Sequence, residues 1–243
     1  MAKRQKENVS DPGSRIDWAG DFVHNLLAVN VFLLLFKGFA VGVMFSATTV
    51  PATVWCVQLG LRRGLGAAWT AAGAVAVAQA MWATLAAVTV WTLTQQNPQY
   101  TAGARVLSSM VFCYMAVKML RTPRLEELPV LDSPGVTGWR LAVATMAVML
   151  SMHMRYFGNV GFFLAAGVVR PTLPAVGPGL LVLGVGAGTL LWFVSVGALV
   201  AWLRAPAEWW VRAMGRLTRL AVMVYGALAI IVALPAVIRF VQR

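Results

Sequence analysis

Acidic residues are scarce in this chain. Eight Asp and Glu stand among 243 residues, against 20 Lys and Arg. All eight acids, Glu7, Asp11, Asp17, Asp21, Glu126, Glu127, Asp132 and Glu208, fall in the N-terminal tail or between apolar runs. A carboxylate relay inside a membrane, or a catalytic pair of carboxylates, therefore lacks its parts. Cysteine and histidine are scarce too. Cys56 and Cys113 form no CxxC or zinc pattern and read as small core residues, and His24 and His153 are too few for a His-rich metal site. No cofactor and no metal are expected, and an enzyme is a poor reading. Charged residues of all kinds make up 12% of the chain, about half the share usual in a soluble protein.

Apolar residues are abundant instead. They make up 60% of the sequence, and the mean hydropathy is +0.75. A soluble fold of this size has no way to hide so much apolar surface. The net charge of +12 would suggest nucleic acid on a soluble protein. Here the basic residues lie mostly between apolar runs, so the partner they suit is a lipid bilayer with an anionic inner face and not a nucleic acid.

The apolar runs are continuous rather than alternating, which favours helices over barrel strands. Six reach the length of a span, at about residues 38–59, 67–91, 104–120, 141–167, 179–203 and 217–238. The expected fold is an all-α integral membrane protein of six transmembrane helices, arranged as two inverted three-helix repeats, with an extra N-terminal segment. The divisions are a polar tail over 1–22, a short apolar helix over 23–37, a first repeat over 38–120, a cytoplasmic loop over 121–140 and a second repeat over 141–243. The short helix is read as interfacial, as continuous with the first span, or as a seventh crossing with a broken return. The loops after the odd-numbered spans carry Arg62, Arg63, Lys118, Arg121, Arg124, Arg140, Arg204, Arg212, Arg216 and Arg219, whereas the even-numbered loops carry only Arg105 and Arg170. The positive-inside rule puts the first set in the cytoplasm. Lys3, Arg4, Lys6 and Arg15 pull the N-terminus to the same side, in conflict with an even number of spans.

A shift of 111 residues lays Gly73 on Gly184, Arg105 on Arg216, Val111 on Val222, Tyr114 on Tyr225 and Ala116 on Ala227. Three helices per half would set the copies in opposite orientation, the common plan of secondary transporters. Such a carrier works as a monomer or as a homo-oligomer. The glycines Gly184, Gly186 and Gly188 lie in an apolar helix and read as a close-packing surface.

Two polar clusters interrupt the apolar runs. In the first span, Ser46, Thr48 and Thr49 precede Pro51, which removes one amide and clashes with the carbonyl of Ala47. Lipid offers no donor for a freed carbonyl, so hydroxyls or a polar cavity must. The cluster is either a broken helix whose backbone meets a substrate, or a kink whose hydroxyls bond back. In the fourth span stand Ser151, His153, Arg155, Tyr156 and Asn159. A charge at membrane depth costs at least about 2.5–3.5 kcal/mol, so Arg155 faces the interior unless it snorkels to an interface. Inside, it would hold a carboxylate, and His153 would carry a proton. Gln79, midway along the second span, is a further polar candidate. Trp192 and Tyr225 read as packing or interface aromatics.

The stretch from Phe36 to Ala80 resembles the LysE/RhtB superfamily of amino-acid exporters. It carries Phe36 and Phe39 around Gly38, then Gly42, a proline-bearing break, Leu61, Arg62, Arg63, Gly64 and Gly66, and Gly73. The sixth span adds Gly215, Arg216 and Leu217, then Tyr225, Gly226, Ala227 and Leu228. The likeness covers most of residues 36–240. It implies a six-helix exporter of small amino acids or similar zwitterionic solutes, driven by an ion gradient in a bacterial inner membrane. The chain departs from the pattern at its polar positions. The family's Pro-Gly-Pro is reduced to Pro51, its Asn-Pro-Lys is replaced by Tyr156, Phe157 and Gly158 between Arg155 and Asn159, and the acid of the second span is replaced by Ala78 and Gln79. A non-transporting subunit on the same scaffold is the alternative. The expected substrate-binding residues are Ser46, Thr48, Thr49, Pro51, Gln79, His153, Arg155 and Asn159, lining one polar cavity.

Overall fold

The computed structural model describes residues 14–96, 98–121, 138–165, 177–203 and 206–241. Among them are eight helices and no strand: α1 (Ser14–Thr48), α2 (Val50–Arg63), α3 (Leu65–Gln96), α4 (Pro98–Arg121), α5 (Gly138–Ser151), α6 (Met154–Ala165), α7 (Gly177–Leu203) and α8 (Ala207–Val241). The chain divides into two compact units, Met1–Leu33 and Leu34–Arg243. The described part of the first unit is the N-terminal portion of α1, and the account below concerns the second. Residues 23–37 lie within α1, which has no break before Thr48. Of the basic residues assigned to loops, Arg124, Arg170 and Arg204 lie outside the described residues, as does most of the loop over 121–140.

Five helices contain stretches long and apolar enough to cross a bilayer: Val31–Thr48, Leu65–Leu93, Ala102–Arg121, Gly177–Leu203 and Glu208–Pro235. The protein is an all-α membrane protein. The first and fourth apolar runs, each read as one span in the sequence, are both interrupted. The first passes from α1 into α2 at Thr49, and the fourth passes from α5 into α6 at Met152 and His153. Large apolar side chains point outward along the bundle, among them Val77, Met81 and Leu85 on α3, Met110 on α4, Leu183 on α7 and Ile230 on α8. In water such a surface would be an aggregation site, whereas against lipid it is solvated.

Glycines set the chain directions. A Cβ on Gly38 would fall on the carbonyl oxygen of Leu181, and one on Gly42 would fall on that of Val185. Gly184 and Gly188 are closed in the same way by the backbone of Leu35 and Phe39. The two helices thus touch backbone to backbone through small residues four apart, as glycine-faced membrane helices do. The contacts advance together along both helices, through the Ser46–Thr189 hydroxyl pair at 3.1 Å and on to Gly60 against Val200. So α1 and α2 together run parallel to α7, and the chain keeps its course past Thr49 instead of turning back. A broken return is thereby excluded. Helix α3 runs antiparallel to α7, with Gly186 near Ala80 and Gly197 near Ala68. Helix α4 runs antiparallel to α8, with Ser109 donating to the Ala229 carbonyl at 2.8 Å and Phe112 stacked on Tyr225.

Each of these antiparallel pairs joins helices that the 111-residue shift lays on one another. The side chains of the 111-residue echo do not share their surroundings. Gly184 is pressed against α1, while Gly73 has open space where a Cβ would stand. Tyr225 is fully buried, while Tyr114 is half exposed.

Candidate functional site

The first interruption follows from Pro51, which sits in the first turn of α2, where a proline costs no hydrogen bond. Thr49 precedes it with φ −88° and ψ 71°, outside the helical region. Its amide donates to the Ser46 carbonyl at 3.1 Å, three residues back. The Phe45 carbonyl, four residues back, takes hydroxyls instead: Thr49 Oγ1 at 2.7 Å and Thr48 Oγ1 at 2.9 Å. Thr48 Oγ1 also lies 3.1 Å from the Met44 carbonyl. The hydroxyl protons of both threonines are therefore spent on the backbone, the second of the two alternatives that the sequence left open. At its far end α2 stops at Gly64, whose φ of 83° suits glycine and whose amide reaches the Gly60 carbonyl at 3.2 Å.

The second interruption has no proline. Ser151 Oγ donates to the Val148 carbonyl at 2.7 Å, and the indole of Trp82 on α3 donates to the Met149 carbonyl at 3.3 Å. The His153 amide turns to the Ser151 carbonyl at 3.0 Å, and the Arg155 amide to that of Met152 at 2.9 Å, starting α6. Side chains thus satisfy what the broken ladder frees, as burial in an apolar phase requires.

In the first turn of α6, Arg155 points into the bundle and is 4% exposed. Its Nη1 donates to Gln79 Oε1 on α3 at 3.1 Å. Gln79 Nε2 donates to Asn159 Oδ1 at 2.9 Å, and Asn159 Nδ2 returns to the Arg155 carbonyl at 2.9 Å. Gln79 and Asn159 are both fully buried. The three residues close a ring that fixes the guanidinium plane. Its Nε and Nη2 are buried and make no hydrogen bond to protein. These two nitrogens form the side-on edge of the guanidinium, whose parallel N–H bonds fit both oxygens of a carboxylate. An arginine stays charged in any protein environment, and no acidic residue lies in the apolar runs to balance it.

The expected site residues divide. Gln79, Arg155 and Asn159 come together in this ring. Thr48 bonds its own helix and neighbours a residue that the sequence had given to packing, Tyr225. The Tyr225 hydroxyl is buried without a hydrogen-bond partner. It lies near the Thr48 hydroxyl. Its ring is held against Phe112 at 5.9 Å between centroids. Ser46 turns away to Thr189, linking α1 to α7. Thr49 is half-buried and bonds its own helix. Pro51 and His153 are exposed, and the His153 ring approaches only the Ser151 carbonyl, through Nδ1 at 3.4 Å. Neither faces Arg155, because each sits at the outer edge of its helix break. An open groove of about 510 Å³ along α8, lined by Trp209, Arg212, Arg216 and Leu217 among others, holds none of the expected residues. Among the described residues no cluster of His, Cys, Asp or Glu could hold a metal ion.

Neither a curated protein nor a solved structure matches the chain. The family model described as LysE type translocator matches residues 43–239, a stretch that takes in both helix breaks, the Arg155 ring and Tyr225. Backbone-interlocked apolar helices, two interrupted spans and a buried arginine held by two neutral amides thus occur in a chain that belongs to the LysE type translocator family.

Proposed function

We propose that this protein is a secondary transporter that exports amino acids or similar small solutes across the bacterial cytoplasmic membrane, driven by an ion gradient, with the substrate carboxylate on Arg155. Membership of a translocator family supports export as the activity. The observation that carries the site is the free side-on edge of Arg155, buried and held in place by Gln79 and Asn159. An uncompensated charge in an apolar interior is costly, and a bound carboxylate would balance it. The two helix interruptions support the same reading. They occur in the first helix of each half, and a carrier binds its substrate where such broken segments approach the midplane.

The donors of Arg155 are closed off from solvent. Loading therefore requires helices to part, as alternating access demands. The test is efflux of labelled amino acids from liposomes holding the purified protein, with and without an imposed proton gradient. Arg155→Ala should lower transport at least about tenfold, the effect of losing roughly 1.4 kcal/mol of binding, with membrane insertion unchanged. Full transport by that variant, or no transport of any amino acid by the parent, would count against the proposal.

A further inference from the structure

The outer face of α8 changes character along its length. Trp209, Arg212, Ala213, Arg216, Leu217 and Leu220 line the open groove of about 510 Å³, a volume within the roughly 300–1,000 Å³ usual for small-molecule sites. Their spacing of three and four residues puts them on one side of the helix. Beyond Leu220, as far as Leu234, the large exposed side chains are apolar: Met223, Ile230, Ile231 and Leu234. The groove therefore joins a cationic end to an apolar one, at the level where the lipid-facing surface of α8 begins.

The cationic end is short of counter-charge. Arg212 and Arg216 are both exposed, and a guanidinium stays protonated. After Asp132 the chain holds a single acid, Glu208. It stands one turn before Arg212, where it offsets one of the two charges. Arg219, exposed and next in the chain to Leu220, adds a third. Trp209 is 39% exposed and is braced by the buried Trp210, ring against ring at 4.8 Å and 85°. A half-exposed indole beside arginines suits the headgroup level of a bilayer, where one part of the ring is wet and the other meets hydrocarbon.

We infer that this groove is a binding site for one anionic phospholipid, its phosphate held by Arg212 and Arg216 and its acyl chain laid over Leu217 and Leu220 toward Met223. Guanidinium groups pair with phosphate oxygens through parallel N–H bonds. A free phosphate would use the arginines and leave the leucines bare. An acidic protein segment would use the arginines too, but it does not continue onto a face that lipid solvates. An amphiphile with an anionic head matches both ends. A diffuse surface potential draws anionic lipids to any basic end of the bundle, whereas a groove shaped for one head and one chain holds a lipid in place. The site is distinct from the Arg155 ring and does not rest on the transport reading.

The test is the melting temperature of the purified, delipidated full-length protein in neutral detergent, since whatever binds the folded state raises it. The probes are dioleoylphosphatidylglycerol, dioleoylphosphatidylcholine and inorganic phosphate. Phosphatidylglycerol should raise the melting temperature saturably, and the other two should have little effect at the same concentrations. Arg212→Gln with Arg216→Gln should raise the concentration needed for half the effect about tenfold or more, with the lipid-free melting temperature little changed. Arg62→Gln with Arg140→Gln removes the same charge from exposed arginines outside the groove and should leave that concentration unchanged. An equal response to phosphatidylcholine, an equal response to phosphate alone, or an equal loss in the two double variants would overturn the inference. No response of the parent to phosphatidylglycerol would overturn it as well, and a lowered lipid-free melting temperature in the groove variant would then assign the groove to a segment of this chain.

Discussion

Gln79 on α3 accepts a hydrogen bond from Arg155 Nη1 on α6 at 3.1 Å and, through Nε2, holds Asn159. A neutral amide is the right partner for a cation that must stay available. It fixes the guanidinium without cancelling its charge.

Two substitutions of Gln79 should therefore part stability from transport. Gln79→Glu supplies an internal carboxylate, so the melting temperature should hold or rise while transport falls about tenfold or more. Gln79→Leu leaves Arg155 and Asn159 short of partners and should cost about 1–3 kcal/mol of stability. Equal transport by the Glu variant and the parent would mean that the Arg155 charge is not used.

The echo pair Gly73 and Gly184 makes a matched comparison. Gly184→Ala drives a methyl group into the backbone of α1 and should destabilise by about 1–3 kcal/mol. Gly73→Ala adds a methyl group to open space and should be neutral or slightly stabilising. Melting curves of the two variants in one detergent decide it. Similar losses at both sites would refute the α1–α7 interlock.

The first helix break should show non-additive losses. Thr48→Val or Thr49→Val leaves one hydroxyl on the Phe45 carbonyl, and each should be mild. The double variant strips that carbonyl of both hydroxyls, and its loss should exceed the sum of the singles by about 0.5–3 kcal/mol. Strict additivity would show that the hydroxyls do not share this acceptor.

His153 is exposed, and its ring approaches the Ser151 carbonyl and not the buried amides. His153→Ala should leave both the transport rate and its dependence on pH between 5 and 8 within about twofold. A shifted pH profile would restore the proton-carrying role that its sequence position suggested.

Much of this was legible in the sequence, and the exceptions have physical reasons. Apolar runs announce spans because lipid tolerates little else. Pro51 among hydroxyls announced the first break, since a missing amide has one meaning at membrane depth. The second break has no such mark. It is made by Ser151 and by Trp82, and a tryptophan on another helix leaves no local trace. Arg155, Gln79 and Asn159 were legible because polar groups in an apolar run must find each other. His153 stood in the same run but on the outward side of a break that its neighbours did not reveal. Tyr225 was read as a packing aromatic, and its buried ring does stack on Phe112. That its hydroxyl stands near Thr48 has no local mark, because the two are far apart in the chain. The echo gave chain direction without giving environment, since Gly73 and Gly184 face different neighbours.

The glycine seam between α1 and α7 also limits how the carrier can move. Gly38 and Gly42 belong to the first half, and Gly184 and Gly188 to the second. Here the halves meet carbonyl to Cα, with no side chains between them to act as bearings. Sliding by one residue would bring bulkier neighbours such as Val43 or Val185 onto the opposing backbone. This seam is a weld, not a rocker. The interruptions at Thr49 and at Met152 and His153 lie outside this seam. Arg155 stands two residues past the second interruption, so on the proposed reading the cation that takes the ligand would travel with any movement at that joint.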